Sequence, residues 1–389
     1  MAYISSNANR WYCAQESAYG QIAAITAANR IPAVSMSAQL QRAKSQRKDK
    51  TGSRTWLGLP QGVRTQVSYD LKSYMRDWPD MTNLPPHGPL FQAALGTTGV
   101  LWAGGTPNTG TLASSVVFTA PHGLAPGQAL TSAGEIRFVA AVADPLTVVL
   151  NAPFSVAPVP GVPLGATATY SLAESLPSVT LFDYWDPSTA VQRVLTGAVV
   201  DQMTIALNGD FHEFEFKGMA QDIVDCASFI SGQGGAVTFP PEPTVAGYSY
   251  SPVPGNLGEV WLGVIPSQFL TVSAASIEIK NNVNLRAKEF GSTLPQGIAP
   301  GTREVSVSLE LFSMDDTATE ALYQAARQQL PISAMFQLGQ VGGQLLGIYL
   351  PGVVPVVPEF DDADTRLKWR FEDVRAQGTD DDEIVVAFG

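Results

Sequence analysis

The stretch GTREVSVSLELFSMDDTATEALYQAARQQL, residues 301 to 330, decides how the chain is read. Val305, Val307, Leu309 and Leu311 alternate with Glu304, Ser306, Ser308 and Glu310. A period of two describes a strand with one buried and one wet face. Thr317 and Glu320 then form a capping-box pattern, and Ala318, Ala321, Leu322, Ala325 and Ala326 recur at helical spacing before Pro331 closes the run. A helix is therefore predicted directly after the strand.

This strand has an earlier partner. From Gly62, in GVRTQVSYDLKSYM, Val63, Val67, Tyr69 and Leu71 alternate with Arg64, Gln66, Ser68, Asp70 and Lys72, so a shift of about 240 positions lays Val67, Tyr69 and Leu71 on Val307, Leu309 and Leu311. Upstream, residues 34 to 62 and 275 to 301 both read as an alternating strand, a polar loop and a Gly/Pro approach to the next strand. Downstream, LTGAVVDQMTIALNGDFHEFEFKGMAQDIVD (195 to 225) matches YLPGVVPVVPEFDDADTRLKWRFEDVRAQ (349 to 377), with Phe214 and Phe216 answered by Leu367, Trp369 and Phe371. Amphipathic strands resemble one another by chance, but features that keep their order point to an internal duplication of one β module.

Composition bounds the rest. The 389 residues are 45% hydrophobic, enough for two or three folded domains. Thirty-five Gly and 28 Pro suit many strands joined by turns, so the expected class is mainly β with few helices. No apolar run reaches the roughly 18 to 20 residues of a membrane helix, and the N-terminus has neither a basic start nor an apolar signal core, so synthesis and folding in a cytoplasm are expected. Cys13 and Cys226 stand far apart without CxxC spacing, which excludes a disulfide framework and a cysteine zinc site. The net charge of −12 argues against nonspecific binding to nucleic acid or to acidic membranes. Arg42, Lys44, Arg47, Lys48, Lys50 and Arg54 break that pattern in one polar loop, either as a contact for an acidic surface, such as another copy of this chain, or as a solvated loop.

In order, the chain divides into an arm (1–33), a first module (34–96 and 177–226), an inserted small β subdomain (97–176), an extended connection (227–270) and a second module (271–389). Leu90, Phe91, Ala94 and Leu95 predict a short helix ending at Gly96. The insertion shows short strands between HG, PG, AG and DP turns, and insertions are tolerated in surface loops. The connection is long and irregular, which calls for something to lie on, although GEVWLGVI (258 to 265) reads as a strand.

Catalytic and metal motifs are sparse. His87, His122 and His212 lack HxxxH or HExxH spacing, and His212 beside Glu213 and Glu215 reads as a surface or turn histidine. There is no GxSxG elbow, no phosphate loop and no dinucleotide fingerprint. Glu359, Asp361, Asp362 and Asp364 lack the Gly and distal Glu of a calcium loop and read as a solvated turn. No cofactor or metal is called for, and an enzyme is not expected.

The motif QESAYG (15 to 20), the units GVRTQVSYDL and GTREVSVSLELF, the strands LTGAVVDQMTIAL with FEFKG, and above all ASIEIKNNV followed by FGSTLPQGIAPGTREVSVSLELF and IYLPGVV resemble the tail tube proteins of long-tailed bacteriophages. The resemblance leaves out the insertion and the connection. It implies β-sandwich or barrel modules, each of two four-stranded sheets with a flanking helix, whose sheets join those of neighbours into a barrel around a lumen. Six modules usually make a ring. Two modules per chain imply a ring of three chains, which pairs every sheet edge, and head-to-tail stacking then grows a tube. Implied partners are further copies, the tail terminator, tape measure and tail-tip proteins, and double-stranded DNA passing without tight binding. Implied location is the virion tail, assembled in the host cytoplasm.

An acidic lumen would repel DNA phosphates and let the genome slide. The candidates for its lining are the wet-face carboxylates Asp70, Asp201, Glu213, Glu215, Glu304 and Glu310, and the basic loop Arg42 to Arg54 together with the arm supplies candidate contacts between rings or subunits. Rival readings are another tail component, such as a terminator, baseplate hub or host-binding adhesin, and a carbohydrate-active β protein with an unrecognised carboxylate pair.

Overall fold

The computed structural model describes residues 3–43, 50, 52–55, 58, 62–244, 248–363 and 365–389. Its elements fall into two successive series. The first contains β1 (Asn9–Gln15), β2 (Arg30–Ile31), β3 (Ala33–Arg42), β4 (Thr65–Tyr74) and α1 (Gly88–Leu95). After these come β5 (Val100–Trp102), β6 (Ser115–Val117), β7 (Ala129–Ser132), β8 (Glu135–Asp144), β9 (Thr147–Leu150) and β10 (Thr167–Ser171). It closes with β11 (Val179–Trp185), β12 (Arg193–Leu207), β13 (Glu213–Ala220) and β14 (Asp222–Asp225). The second series contains β15 (Gly258–Gly263), β16 (Ser267–Gln268), β17 (Val272–Lys280), β18 (Asn284–Leu285), β19 (Ile298–Ala299), β20 (Glu304–Phe312) and α2 (Thr317–Gln328). It ends with β21 (Ile332–Leu338), β22 (Leu346–Val353), β23 (Glu359–Asp361), β24 (Lys368–Arg375) and β25 (Val385–Phe388). The protein is mainly β, with two α-helices among the described residues.

The strand order repeats. One sheet runs β2-β1-β11-β12, with β14 on the other side of the first half of β12; another runs β16-β15-β21-β22-β25. A third, continuous sheet runs β3-β4-β13-β12 and then β17-β20-β24-β23. Each four-strand half of it therefore uses the same order of elements. The long strand β12 serves two sheets: residues from Arg193 pair with β11 and β14, and residues to Leu207 pair with β13 and β17. In the second series this strand is split into β22 and β23, separated by Pro355 and Pro358, which remove the ladder donors a continuous strand needs.

Period-two alternation explains the layering. Val67, Tyr69 and Leu71 in β4, and Val305, Val307, Leu309 and Leu311 in β20, are buried while their neighbours are not. These faces meet residues of the two smaller sheets, such as Leu181, Leu195, Phe336 and Ile348, in one core. Each helix follows its strand and puts an aromatic against the equivalent place. Phe91 of α1 meets Phe214 and Phe216 of β13 edge-on, and Tyr323 of α2 lies 5.6 Å from Trp369 of β24.

The start of α2 differs from the expected pattern. Asp316, not Thr317, caps α2: its carboxylate accepts from the Thr319 amide at 2.7 Å, satisfying a first-turn donor. Glu320 instead accepts from Gln324 at 2.9 Å. The helix stops before Pro331, where Gln329 takes φ 54° and its amide reaches the carbonyls of Ala325 and Ala326. The apolar stripe Leu322, Ala325 and Ala326 lies in the core, and α1 ends at Gly96 with φ 106° as expected.

Both irregular segments hold strands. The arm carries β1 and β2, and the connection carries β15 and β16, the same opening pair in each series. In the arm, Glu16 of the QESAYG motif accepts from Gly20 N, Gly197 N, Ser178 Oγ and Thr180 Oγ1, tying the end of β1 to β11 and β12. The segment after β14 covers the outer aromatics Tyr12, Phe182 and Tyr184, with Phe239 packed there and Arg10 paired to Glu242 at 2.5 Å.

Within 97–176, β6 to β9 form a separate four-stranded sheet with a core of Val116, Phe118, Leu130, Val139, Val148 and Phe154. Its stem strands β5 and β10 do not stand apart: β10 pairs with β25 and extends the sheet of the second series. Ala129, Ile136 and Phe138 cover the outer face of that sheet at Trp261, Met335 and Val385. The fully buried Arg137 fastens the joint, lying 2.5 Å from Glu135 and 3.0 Å from Glu259 and donating to the carbonyls of Pro153 and Ile136.

Candidate assembly surfaces

Opposed residues in an antiparallel ladder share a face. On the outer face of the eight-strand sheet one row reads Ser35, Lys72, Glu215, Thr204, Glu278, Ser306 and Arg375. The next reads Ser37, Asp70, Lys217, Gln202, Lys280 and Glu304. Glu213 lies opposite Tyr74 and Ala206, and Glu310 lies opposite Arg370, which faces Glu359. Five of the six sequence-nominated carboxylates, Asp70, Glu213, Glu215, Glu304 and Glu310, thus share one polar face across both series.

Asp201 has a different task. It occupies a bulge in β12, where its Oδ1 accepts from Val283 N at 2.6 Å and its carbonyl accepts from Asn281 N. It pins the end of β17 to β12.

The face is a charge ladder and not a bare acidic wall. Lys217 Nζ lies 2.8 Å and Lys72 Nζ 3.6 Å from Glu215, Lys280 lies 2.7 Å from Glu278, and Arg370 lies 3.1 Å from Glu310 and 2.6 Å from Asp361. Arg375 meets Glu304 at 3.4 Å. Burial alone would raise the Glu215 carboxyl, but hydrogen bonding to Lys217 and the charges of Lys217 and Lys72 outweigh it and hold it below the usual range. The hydrogen bond to Glu215 in turn raises Lys217. Sequence alternation already placed Lys72 here. It missed Glu278, Lys280 and Lys217, which the same period in SIEIK and FEFKG would have found.

Of the basic loop, Arg42, Lys50 and Arg54 are exposed, with Arg42 ending the edge strand β3; Lys44, Arg47 and Lys48 lie outside the described residues. The acidic turn begins with Glu359 and Asp361 on the opposite edge strand, β23; Asp364 lies outside the described residues.

The histidines are structural. His212, expected at the surface or in a turn, follows the bend at 208–210 and is buried, its Nε2 2.9 Å from the Leu257 carbonyl, because it precedes Phe214 on the inward register of the chain entering β13. His87 is buried 3.0 Å from Ser73 Oγ, and His122 Nδ1 accepts from Leu124 N. Among the described residues no group of three or more His, Cys, Asp or Glu is placed to hold a metal, and no helix is long and apolar enough to cross a membrane.

A family model described as phage tail tube protein matches residues 85–386. The chain belongs to that family. Comparison with curated proteins gives no match. Family membership makes this tail tube chain a structural component of the virion tail that assembles with itself and with other tail proteins. It also argues for a non-enzymatic role.

Proposed function

We propose that this tail tube chain carries two tube modules, that three copies close a pseudo-sixfold ring, and that stacked rings form the conduit through which the genome leaves the capsid. One observation carries the reading: β12 of the first series pairs with β17 of the second, so two like halves are already joined edge to edge in a single sheet. Two like halves in one chain halve the number of chains a ring of six needs. Closure would then satisfy the remaining free edges, which otherwise invite uncontrolled pairing.

In this reading the modules span β1 to β14 and β15 to β25, widening the first estimate by the opening strand pair of each. The polar face of the eight-strand sheet lines the lumen, and the insertion decorates the outside at threefold spacing, since it sits on the opposite layer. Lumen cations are held by carboxylates, so DNA phosphates find few cations to bind and little counterion release to gain. The tail terminator, tape measure and tail-tip proteins meet the tube ends, and assembly takes place in the host cytoplasm.

Negative-stain microscopy with mass photometry over a concentration series tests this. Rings or hollow tubes with mass steps of three chains support it. A particle that stays monomeric at every concentration, also with tail-tip components present, overturns it in favour of an adhesin or hub.

A further inference from the structure

We infer that the bond between neighbouring chains is a copy of the bond inside the chain: β23 of one copy pairs antiparallel with β3 of the next, in the register of β12 with β17. The inference rests on the ring reading above and specifies its seam.

The argument starts from equivalent ladders. Asp70 opposite Lys217 in the first half corresponds to Glu310 opposite Arg370 in the second, an acid facing a base in both. Gln202 opposite Lys217 corresponds to Glu359 opposite Arg370, so Met203 corresponds to Phe360 and Thr204 to Asp361. On the other flank, Leu40 opposite Val67 corresponds to Ile277 opposite Val307, so Gln41 corresponds to Glu278 and Arg42 to Ile279. Inside the chain Met203 faces Ile279, and Thr204 faces Glu278. Transferred to the free edges, Phe360 faces Arg42 of the next copy and Asp361 faces its Gln41.

Three further observations fit a second copy as the occupant. First, at the internal seam Met203 and Ile277 are each 1% exposed, whereas their counterparts Phe360 and Leu40 are 58% and 39% exposed. Both point from the sheet face that forms the core, so pairing would cover apolar surface that the single chain leaves wet. Second, the edges carry opposite charge: β23 and the turn after it hold Glu359, Asp361 and Asp362, while β3 ends at Arg42 and runs on into the basic stretch of the sequence. Third, among the described residues β3 has a ladder partner on one side only at one end of the eight-strand sheet and β23 likewise at the other, with all ladders antiparallel, so one chain's end accepts the other chain's start without a change of strand sense. Such a contact is heterologous and closes when the rotation per chain fits a ring.

Cysteine pairing tests the register. In a Cys226→Ser background, Gln41→Cys with Asp361→Cys is assembled and then treated with a mild thiol oxidant, beside each single variant and the off-register pair Ser37→Cys with Asp361→Cys. The expected result is a non-reducing gel ladder ending at three linked chains for the in-register pair, with at least a tenfold lower yield for the off-register pair. Rings seen by microscopy without the 41–361 link, or with the 37–361 link as efficient, overturn the seam and leave the tube reading standing. Monomers without rings or links overturn both. Arg42→Glu gives a second check: ring assembly should shift to at least tenfold higher protein concentration and be restored by Asp362→Lys, which in this register falls on the same sheet face as residue 42. An unchanged assembly threshold in Arg42→Glu contradicts the seam.

Discussion

Ile205 and Ile277 stand opposite each other where the last strand of the first half pairs with the first strand of the second, and both are buried in the core shared by the two sheets. This pair joins the two four-strand halves into one sheet. It also places the first half's polar face in line with the second's, so that Thr204 and Glu278, one residue on, continue the same outer row.

Ile277→Ala removes packing at this junction without touching either free edge. Large-to-small changes at fully buried sites typically cost about 2–5 kcal/mol. Urea denaturation should show a loss in that range, with the unfolding of both halves affected together. A loss confined to one half would mean the halves fold as separate units.

Arg137 connects the inserted sheet to Glu259 of the second series through a fully buried guanidinium. Removing one partner of a buried pair leaves uncompensated charge, typically about 3–5 kcal/mol. Arg137→Met should therefore raise amide hydrogen exchange across β6 to β9 and their contact with β25, and adding Glu135→Gln with Glu259→Gln should recover most of the protection. Unchanged exchange in Arg137→Met would show that the apolar contacts of Ile136 and Phe138 suffice for docking.

His87 sets a pH dependence. Burial, and then the nearby Arg76, lower its pKa to about 3, while the carbonyl of Tyr74 acts weakly the other way. Ser73 Oγ and the Phe214 ring complete its surroundings. Since the folded protein keeps this ring neutral and the unfolded chain protonates it near 6.5, its contribution is full above about pH 6.5 and is lost as pH falls toward 3, at about 1.4 kcal/mol per pH unit. His212, lowered by burial as well, acts in the same direction as pH falls below about 6.5. Stability measured from pH 7 to 5 should fall in the wild type, and His87→Phe should show a shallower slope whatever its absolute stability. Equal slopes would contradict the neutral buried ring.

The lumen assignment concerns DNA. Asp70→Lys with Glu310→Lys should leave the strand ladders intact while adding unpaired cations to the polar face. Tubes of this variant should retain short duplex DNA in a salt-dependent way, protected from nuclease, where wild-type tubes retain none. Retained DNA that nuclease digests would put this face on the outside.

Much of the fold is readable in residue order because alternation records which side chains share a face. Val305 to Leu311 and Val67 to Leu71 announce their strands, and the alanine and leucine spacing announces α2. The carboxylates of the polar face follow from the same period. What alternation cannot record is which strand lies beside which, since ladder partners are distant in sequence and every amphipathic strand offers the same edges. Tertiary structure alone decides that β12 divides its length between two sheets, that β12 meets β17, that Glu215 and Glu278 acquire lysine partners, and that an insertion leaving the first half extends the sheet of the second. Burial selects these pairings, because each one satisfies a strand edge and covers an apolar face together.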